Sequence, residues 1–391
     1  MPALPIPAGE APFDMALVQR GARLRRTPYF PATQRYGARG YTVYNHTLFP
    51  ICFDHFEAEY HALLNGVTLW DVGVERNVEI TGPDAFRFTN LLTPRDLSRC
   101  AVGQGKYVVV TGEDGGIIND PVLLRLGENH FWLALADSDV LLWARGVAVH
   151  AGMRVEIREP DVWPLQVQGP RSKAVIAALF GPEAAELGYY RFLETGLDGM
   201  PVVVTRTGWT GEVGFEIYLR DGSRGEELWE RVMEAGRPHG IRPTGPSDIR
   251  RIEAGILNWG ADITLEDTPY HVGLERLVDE GKTDEYIGRG ALARVRREGV
   301  TRKLVGIEIA GERIEFNMTR WPVCHQDREV GRVTSALYSP RLAKNIGYAM
   351  VPVELAEPGT VLAVRIPDGG EREARVVAKP FVDPEKAIPR R

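Results

Sequence analysis

The chain is poor in cysteine. Among 391 residues only Cys52, Cys100 and Cys324 occur, far apart from one another. An odd, scattered set favours neither a disulfide framework nor a CxxC metal motif, and it is typical of a reducing compartment. The eight histidines are dispersed as well, so no cluster has metal-ligand spacing. We therefore expect a cytoplasmic protein without a bound metal.

Long apolar runs are also absent. No stretch approaches the ~20 apolar residues of a membrane-spanning helix. Prolines and acids interrupt the first residues, where a signal peptide needs an apolar core. The net charge of −6 gives no general reason to bind nucleic acid or an anionic membrane, and the basic cluster Arg20 to Arg26 is interpreted as a solvated face. We expect neither of these partners.

Several catalytic motifs are missing. No GxGxxG follows a strand, and no GxSxG, HExxH or EF-hand loop occurs. The run EGKT, Glu280 to Thr283, resembles the end of a phosphate loop, but Arg276 stands where its first glycine belongs. The sequence thus gives no support to a dinucleotide site, a covalent nucleophile or a metal centre.

The order of predicted elements favours the α+β class. Strands and helices are interspersed without a βαβ rhythm. Residues 1–30 form a lead-in rich in proline, alanine and arginine, and residues 31–290 carry hairpin patterns and helices, one of them N-capped by Ser247. From 300 to 391, short strands with frequent turn signals predict a small all-β domain, and the charged run 289–303 is interpreted as the junction before it.

Two carboxylates stand in apolar surroundings. Asp120 lies in GGIINDPVLL between two apolar strand segments, and Glu216 lies in RTGWTGEVGFEIYL, opposite an apolar stripe and just past a glycine-rich turn. Each side chain could bind a ligand. From the residues alone simpler interpretations stay open, in which Asp120 caps the turn before Pro121 and Glu216 faces solvent.

Together these stretches resemble the folate-dependent aminomethyltransferases, the family of the glycine cleavage T-protein. The matching segments include RTGWTGEVGFEIYL, GGIINDPV, LWDVGVERNVEITGPDA and RIEAGILNWGADI, and they occur in order from about residue 40 to 383. The resemblance implies a three-domain cloverleaf around a central hole that binds tetrahydrofolate. Residues 31–290 would form two intertwined folate-binding subdomains and residues 300–391 a β-barrel-like domain.

The resemblance also implies roles for individual residues. Asp120 takes the place of the family aspartate beside the folate and the reacting carbon, and is the catalytic candidate. Glu216 takes the place of the glutamate that pairs with the pterin ring, its two oxygens accepting two ring donors side by side. Tyr107, Tyr190 and Trp209 fall where the family has aromatic residues around the folate.

Further segments, among them LRRTPYF, YTVYNHTLFP, LTPRDLS and EPDVWPL, resemble the dimethylsulfoniopropionate demethylase branch of the family. That likeness implies methyl transfer from a sulfonium compound to tetrahydrofolate, giving 5-methyltetrahydrofolate. Glu75, Ser138 and Trp143 are the candidates for the methyl-donor side of the site. A simpler alternative stays open for each: a solvated strand residue, a cap of the next helix, and a core residue.

The sequence departs from T-proteins at three positions. Ser247 replaces the arginine that T-proteins use for the folate tail, Ala261 replaces an asparagine, and Lys386 replaces a tyrosine. These changes point away from a glycine cleavage T-protein and its lipoyl carrier partner. The alternatives are a demethylase of a betaine or an O-methyl aromatic, a T-protein, and a folate-binding relative without enzymatic activity.

Overall fold

The computed structural model describes residues 23–367 and 370–391, so most of the predicted lead-in, residues 1–22, lies outside the described residues. In this part of the chain, no helix combines the length and the apolar character needed to cross a bilayer. The helices are α1 (Phe30–Arg35), α2 (Phe56–Asn65), α3 (Ala85–Leu91), α4 (Val140–Ala151), α5 (Ser172–Phe180), α6 (Pro182–Ala185), α7 (Gly225–Gly236), α8 (Asp248–Glu253), α9 (Pro269–Val272) and α10 (Arg289–Glu298).

The strands alternate with these helices in mixed order, as the α+β class predicts. They are β1 (Gly40–Tyr44), β2 (Thr47–Cys52), β3 (Thr68–Asp71), β4 (Asn77–Thr81), β5 (Gln104–Tyr107), β6 (Val110–Thr111), β7 (Ile117–Asn119), β8 (Val122–Gly127), β9 (His130–Ala134), β10 (Glu156–Arg158), β11 (Trp163–Gln168), β12 (Phe192–Leu197), β13 (Met200–Thr205), β14 (Gly214–Leu219), β15 (Arg242–Pro243), β16 (Arg302–Ile309), β17 (Trp321–His325), β18 (Arg328–Ser339), β19 (Lys344–Pro352), β20 (Val361–Ile366) and β21 (Gly370–Val377).

A six-stranded sheet has the order β12-β13-β14-β11-β3-β15. Its strand β14 alternates as predicted, because Phe215, Ile217 and Leu219 enter a core that also contains Trp229 of α7. Successive side chains of a strand point to opposite faces, so Glu216 lies on the other face of the sheet. This face is turned toward the candidate site.

A five-stranded antiparallel sheet has the order β10-β4-β9-β8-β5. The predicted hairpins are present as β6–β7 and β8–β9. Helices α3 and α4 cover one face of this sheet, and the core between them includes Phe88, Phe131 and Leu133. The chain passes between the two sheets twice without an intervening helix, from β3 into β4 and from β10 into β11.

The C-terminal strands form a closed antiparallel barrel with the order β16-β19-β18-β17-β20-β21, which confirms the predicted all-β region. Much of the charged run 289–303, the predicted junction before the barrel, is the helix α10. Its Ala291 and Leu292 are buried. Arginines dominate the composition of this run and mask a narrow apolar face at helical spacing.

Helix α8 connects these units. Ser247 is its N-cap, as predicted, and accepts a hydrogen bond from the Arg250 amide. Arg251 is fully buried. Its Nε donates to Asp248 Oδ1 at 2.6 Å, one terminal nitrogen donates to Asp262 Oδ2 at 2.7 Å, and the other donates to Ser335 Oγ of the barrel at 3.0 Å. The guanidinium thereby ties α8 to the barrel.

We predict that Asp262→Ala lowers the free energy of unfolding by about 3–5 kcal/mol, because it removes the fully buried partner of the Arg251 charge and leaves only Asp248, which is partly exposed. Glu234→Ala is the control, since Glu234 pairs with Arg231 on the exposed face of α7, where an ion pair contributes at most about 1 kcal/mol. Urea titration of both variants measures the difference. Equal midpoints would show that Arg251 does not hold the units together.

Candidate active site

Asp120 and Tyr107 lie together at one edge of the five-stranded sheet. Tyr107 ends β5, and Asp120 follows β7. The Tyr107 hydroxyl donates to Asp120 Oδ2 at 2.8 Å, whereas Oδ1 is buried without a hydrogen-bond partner. Burial raises the pKa of Asp120 to about 7, although the Tyr107 hydrogen bond opposes that rise. The carboxyl thus keeps one oriented acceptor free.

Glu216 lies in the middle of β14 and is 3% exposed, which excludes the alternative in which it faces solvent. Its Oε1 accepts from Gln166 Nε2 at 2.7 Å, and its Oε2 accepts from the hydroxyls of Thr207 at 2.6 Å and Tyr218 at 2.9 Å. Gln166 reaches it because β11 pairs with β14 in a register that sets the two residues opposite each other. Gln166 Oε1 is buried and has no partner.

Glu75 lies on the segment that links β3 to β4, between the two sheets. Burial raises the pKa of its carboxyl well above the usual range, and the negative charge of Glu216 adds to that rise. Burial likewise raises the pKa of Tyr44, with further contributions from the charges of Glu75 and Asp120. Glu75 therefore lies near Glu216, and Glu75 and Asp120 both lie near Tyr44 of β1.

The three acids lack cationic partners. Among the described residues, no arginine, lysine or histidine nitrogen comes within 4.0 Å of the carboxylate oxygens of Glu75, Asp120 or Glu216. Nor do three metal-ligating side chains converge there or elsewhere in residues 23–367 and 370–391. The buried Arg250, by contrast, is paired with Glu212 at 2.7 Å. The site therefore carries an excess of acid.

Two of the predicted folate-binding aromatic residues, Tyr190 and Trp209, have defined surroundings. Tyr190 has a left-handed backbone with φ 60°, which costs a non-glycine residue about 1 kcal/mol or more and is found preferentially at functional sites. Its amide donates to Arg206 O at 3.0 Å, and its carbonyl accepts from the Gly105 amide at 2.8 Å. Trp209 packs beside Trp70. The Arg251 guanidinium lies 5.4 Å from the Trp209 ring centre.

The other two predicted residues have internal contacts. The Ser138 hydroxyl donates to Ile118 O at 2.7 Å and accepts from Asn119 Nδ2 at 2.8 Å. It therefore braces the segment that carries Asp120, and it does not cap α4, whose N-cap is Asp139. Trp143 packs against the core of the five-stranded sheet, and its Nε1 is buried without a partner. A role for either residue in substrate binding stays a prediction.

Sequence reasoning missed Tyr44, Gln166, Thr207 and Tyr218 as residues of the site. The available signal was Gln166, a polar residue in the otherwise apolar strand segment LQVQGP, much as Glu216 is polar within an apolar strand. Its pairing with Glu216 depends on a strand register that spans 50 residues. That register is not readable from local pattern.

The fold and the site together define a class of protein. The fold combines two β-sheets and a C-terminal barrel with buried acids that have only neutral partners, an arrangement that suits a small ligand rich in N–H donors or positive charge. Two family profiles match the chain: the GCVT N-terminal domain over residues 14–282 and the glycine cleavage T-protein C-terminal barrel domain over residues 302–383. The chain belongs to the aminomethyltransferase family of the glycine cleavage T-protein.

Individual relatives support this assignment. A dimethylsulfoniopropionate demethylase of Ruegeria pomeroyi is 40% identical over 91% of this chain and 97% of its own. An aminomethyltransferase of Rubrobacter xylanophilus is 36% identical over 94% of this chain and 96% of its own. A crystal structure of the aminomethyltransferase T of Bartonella henselae superposes with a TM-score of 0.82 at 24% identity, covering 92% and 98% of the two chains.

These findings confirm three expectations. The fold is that of the T-protein family. The protein is an enzyme of the methyl- or aminomethyltransferase class, and its one-carbon carrier is tetrahydrofolate.

The raised pKa of Asp120 makes a prediction about stability. The unfolded aspartate ionises near pH 4, so between about pH 4 and 7 the folded state keeps a proton that the unfolded state has lost. The ionised group thus costs stability as the pH rises. We expect the melting temperature of Asp120→Asn, relative to that of wild type, to rise by about 2 °C or more between pH 4 and pH 8.

The control is Asp114→Asn, because Asp114 is exposed in the β6–β7 turn, where it accepts from the Gly116 amide. Its melting temperature relative to wild type should not depend on pH in this way. A difference between Asp120→Asn and wild type that is equal at both pH values would show that Asp120 is ionised throughout.

Proposed function

We propose that the protein transfers a methyl group from a sulfonium compound of the dimethylsulfoniopropionate type to tetrahydrofolate, giving 5-methyltetrahydrofolate. The observation that carries the proposal is the set of three acids, Glu75, Asp120 and Glu216, without a cation among the described residues. Burying unpaired carboxylates is costly. A ligand with a fixed positive charge and N–H donors relieves that cost.

The residues present fit a reduced pterin. Glu216 Oε2 is already held by three hydroxyls, whereas Oε1 has a single donor and lies beside Gln166, whose Oε1 has no partner. Two neighbouring ring donors would therefore meet one oxygen from each residue, and not both oxygens of Glu216. When bound, tetrahydrofolate supplies the nucleophilic N5 that accepts the methyl group.

The likeness to the Ruegeria pomeroyi demethylase supports a sulfonium donor. Such a donor is cationic and would lie toward Glu75, where Tyr44 borders the site and Phe49 contacts Tyr44 with ring centres 5.9 Å apart. Each aromatic face contributes roughly 0.5–2 kcal/mol to holding a cation. Glu75 adds a charge that a neutral methyl donor would not satisfy.

Asp120 contributes through charge and orientation. Tyr107 holds its Oδ2, so the free Oδ1 keeps a fixed direction. A preorganised negative charge stabilises the positive charge that develops on N5 as the methyl group moves to it from sulfur. The sulfur leaves as a neutral thioether, and the methylated N5 then releases its proton. Because a sulfonium methyl is already activated, the protein needs no acid catalyst. The rest of the reduction in the activation barrier comes from aligning the methyl donor with N5 in a site that excludes water.

The glycine-cleavage alternative is favoured by the Rubrobacter xylanophilus aminomethyltransferase at 36% identity. In that reaction a lipoyl carrier protein delivers an aminomethyl group. Incubation of the enzyme and tetrahydrofolate with each donor in turn decides between the functions: dimethylsulfoniopropionate, glycine betaine, an O-methyl aromatic acid and an aminomethyl-loaded carrier. We expect 5-methyltetrahydrofolate from the sulfonium. Product only from another donor, or from none, would overturn the proposal.

We predict that Glu216→Ala weakens tetrahydrofolate binding by about 10- to 100-fold. A lost charge-assisted hydrogen bond in a buried site costs about 1.5–3 kcal/mol. Glu194→Ala is the control, because Glu194 is half exposed on β12 and pairs with Arg220. Calorimetric titration measures both affinities. An unchanged affinity in a folded Glu216→Ala protein would assign Glu216 to structure alone.

We predict that Asp120→Asn lowers the single-turnover rate of methyl transfer by about 100-fold, or about 2.7 kcal/mol, with folate affinity nearly intact. Asparagine keeps the shape and one acceptor but removes the negative charge. Asp114→Asn should leave the rate unchanged. A near wild-type rate for Asp120→Asn would remove Asp120 from the mechanism, and equal losses in affinity and rate would make it a folate-binding residue only.

A further inference from the structure

The β1–β2 hairpin forms a two-stranded sheet of its own, and its turn residues are Asn45 and His46. Both have a left-handed backbone, with φ of 49° and 60°. Positive φ at both turn residues is typical of tight hairpins, where asparagine and glycine are favoured. The two side chains nevertheless have opposite surroundings, because His46 is exposed whereas Asn45 is 3% exposed. The turn alone does not account for the burial of Asn45.

The buried side-chain amide of Asn45 contacts two separate segments. Its Nδ2 donates to Val74 O and to Ala136 O, at 3.1 Å each. Because both partners are carbonyl oxygens, the amide nitrogen has to face them, and both of its hydrogens are used. The backbone amide of Asn45 also donates to Asp137 Oδ1 at 2.8 Å. Asn45 thus joins the hairpin to the link between β3 and β4 and to the loop between β9 and α4.

A second asparagine, Asn119, extends the connection. It is fully buried and pairs with Ala136 at two points, since its Nδ2 donates to Ala136 O at 2.9 Å and its Oδ1 accepts from the Ala136 amide at 3.1 Å. Its Nδ2 also donates to Ser138 Oγ at 2.8 Å. The Ala136 carbonyl therefore accepts from both asparagines. A hydrogen-bond network whose donors are all used fixes the relative positions of the segments that carry it.

Each end of this network lies next to an acid of the candidate site. Asn119 directly precedes Asp120 in the chain. Val74, whose carbonyl accepts from Asn45, directly precedes Glu75. The hydrogen bonds thus run from the segment of Glu75 through Asn45 to the segment of Asp120. Because these two segments belong to different parts of the chain, the side chain of Asn45 helps to set the distance between them.

We infer that Asn45 is a positioning residue for methyl transfer, because its amide holds the segments of Glu75 and Asp120 at a fixed separation. The inference rests on the proposed function, in which Glu75 faces the methyl donor and Asp120 the reacting nitrogen. A displacement of about 1 Å in such a site can lower the rate by about 100-fold. Asn45 acts through these two acids.

Folate binding should depend much less on Asn45. Glu216 and Gln166, the residues proposed to meet the pterin, lie opposite each other in the paired strands β14 and β11. Their relative position follows from the register of these strands and not from the hairpin. A substitution at Asn45 is therefore expected to affect the methyl donor and the rate, with the affinity for tetrahydrofolate nearly intact.

The simpler alternative is that Asn45 only forms the turn. Asn45→Gly separates the two roles, because glycine adopts positive φ readily and lacks the side-chain amide. Both carbonyl oxygens keep a partner in this variant. Val74 O still accepts from the Arg76 amide at 2.9 Å, and Ala136 O still accepts from the Ser138 amide at 2.8 Å. We therefore expect Asn45→Gly to fold.

The test compares Asn45→Gly and Asn45→Asp with His46→Gly. Aspartate keeps the shape of the side chain but has no N–H donors, and His46→Gly makes the same backbone change at the neighbouring, exposed position. The measurements are kcat and KM with dimethylsulfoniopropionate, and tetrahydrofolate affinity by calorimetry without the donor. We expect both Asn45 variants to lower kcat about tenfold or more and to raise the KM for the donor, with folate affinity unchanged. His46→Gly should behave as wild type.

Amide hydrogen exchange gives a second readout, which does not depend on the methyl donor. The Glu75 amide donates to Val72 O and the Arg76 amide to Val74 O, both at 2.9 Å. Loss of the Asn45 amide loosens this link, so we expect these two amides to exchange about threefold faster or more in Asn45→Gly than in His46→Gly.

Three results would overturn the inference. A wild-type kcat in Asn45→Gly would assign Asn45 to the turn alone, and a loss in Asn45→Gly that Asn45→Asp does not share would remove its N–H donors from the role. Equal losses of kcat and folate affinity would show a general disturbance of the fold.

Failure of the proposed function is a separate result. It would appear as wild-type protein that makes no 5-methyltetrahydrofolate from the sulfonium. The exchange comparison then decides on Asn45: faster exchange in Asn45→Gly would sustain its positioning of the Glu75 segment for whichever donor reacts, and exchange equal to that of His46→Gly would overturn it.

Discussion

The buried guanidinium of Arg251 is the interaction on which the arrangement of the β-sheet units depends. Its donors are divided among Asp248 on α8, Asp262 in the following loop and Ser335 in the barrel, and its face lies near Trp209. A charge buried without these partners would be strongly destabilising. Only one arrangement of α8, the loop with Asp262, the barrel and Trp209 provides all of these partners to Arg251. That arrangement sets the position of the candidate site.

The treatment of charge differs sharply between this centre and the site. Arg250 and Arg251 are buried with carboxylates at 2.7 Å or less, whereas Glu75, Asp120 and Glu216 have only neutral partners or none. The positive charges of Arg250 and Arg251 are thus neutralised by the carboxylates that hold the units together. The negative charges of Glu75, Asp120 and Glu216 remain unpaired and destabilise the unliganded protein. Binding of a cationic ligand, as proposed, would offset that destabilisation.

The features that could be predicted from the sequence are local. The alternation around Glu216, the cap at Ser247 and the rhythm of the barrel strands each depend on a few neighbouring residues, and resemblance to a family supplied the roles of Asp120 and Glu216. The partnership of Gln166 with Glu216 depends instead on a register between distant strands. Tyr44 reaches the site through tertiary packing, which no window of sequence contains.

Glu75 lies between β3 and β4 and belongs to neither strand, whereas Glu216 and Gln166 lie inside two paired strands. A substitution at Glu75 leaves every strand register unchanged, but a substitution in β11 or β14 disturbs the packing of a whole sheet. On the proposed assignment of Glu75 to the methyl donor and Glu216 to the pterin, the donor end of the site can change without disturbing a strand, whereas the pterin end cannot. A family built in this way can exchange one donor for another over evolutionary time and keep the same carrier.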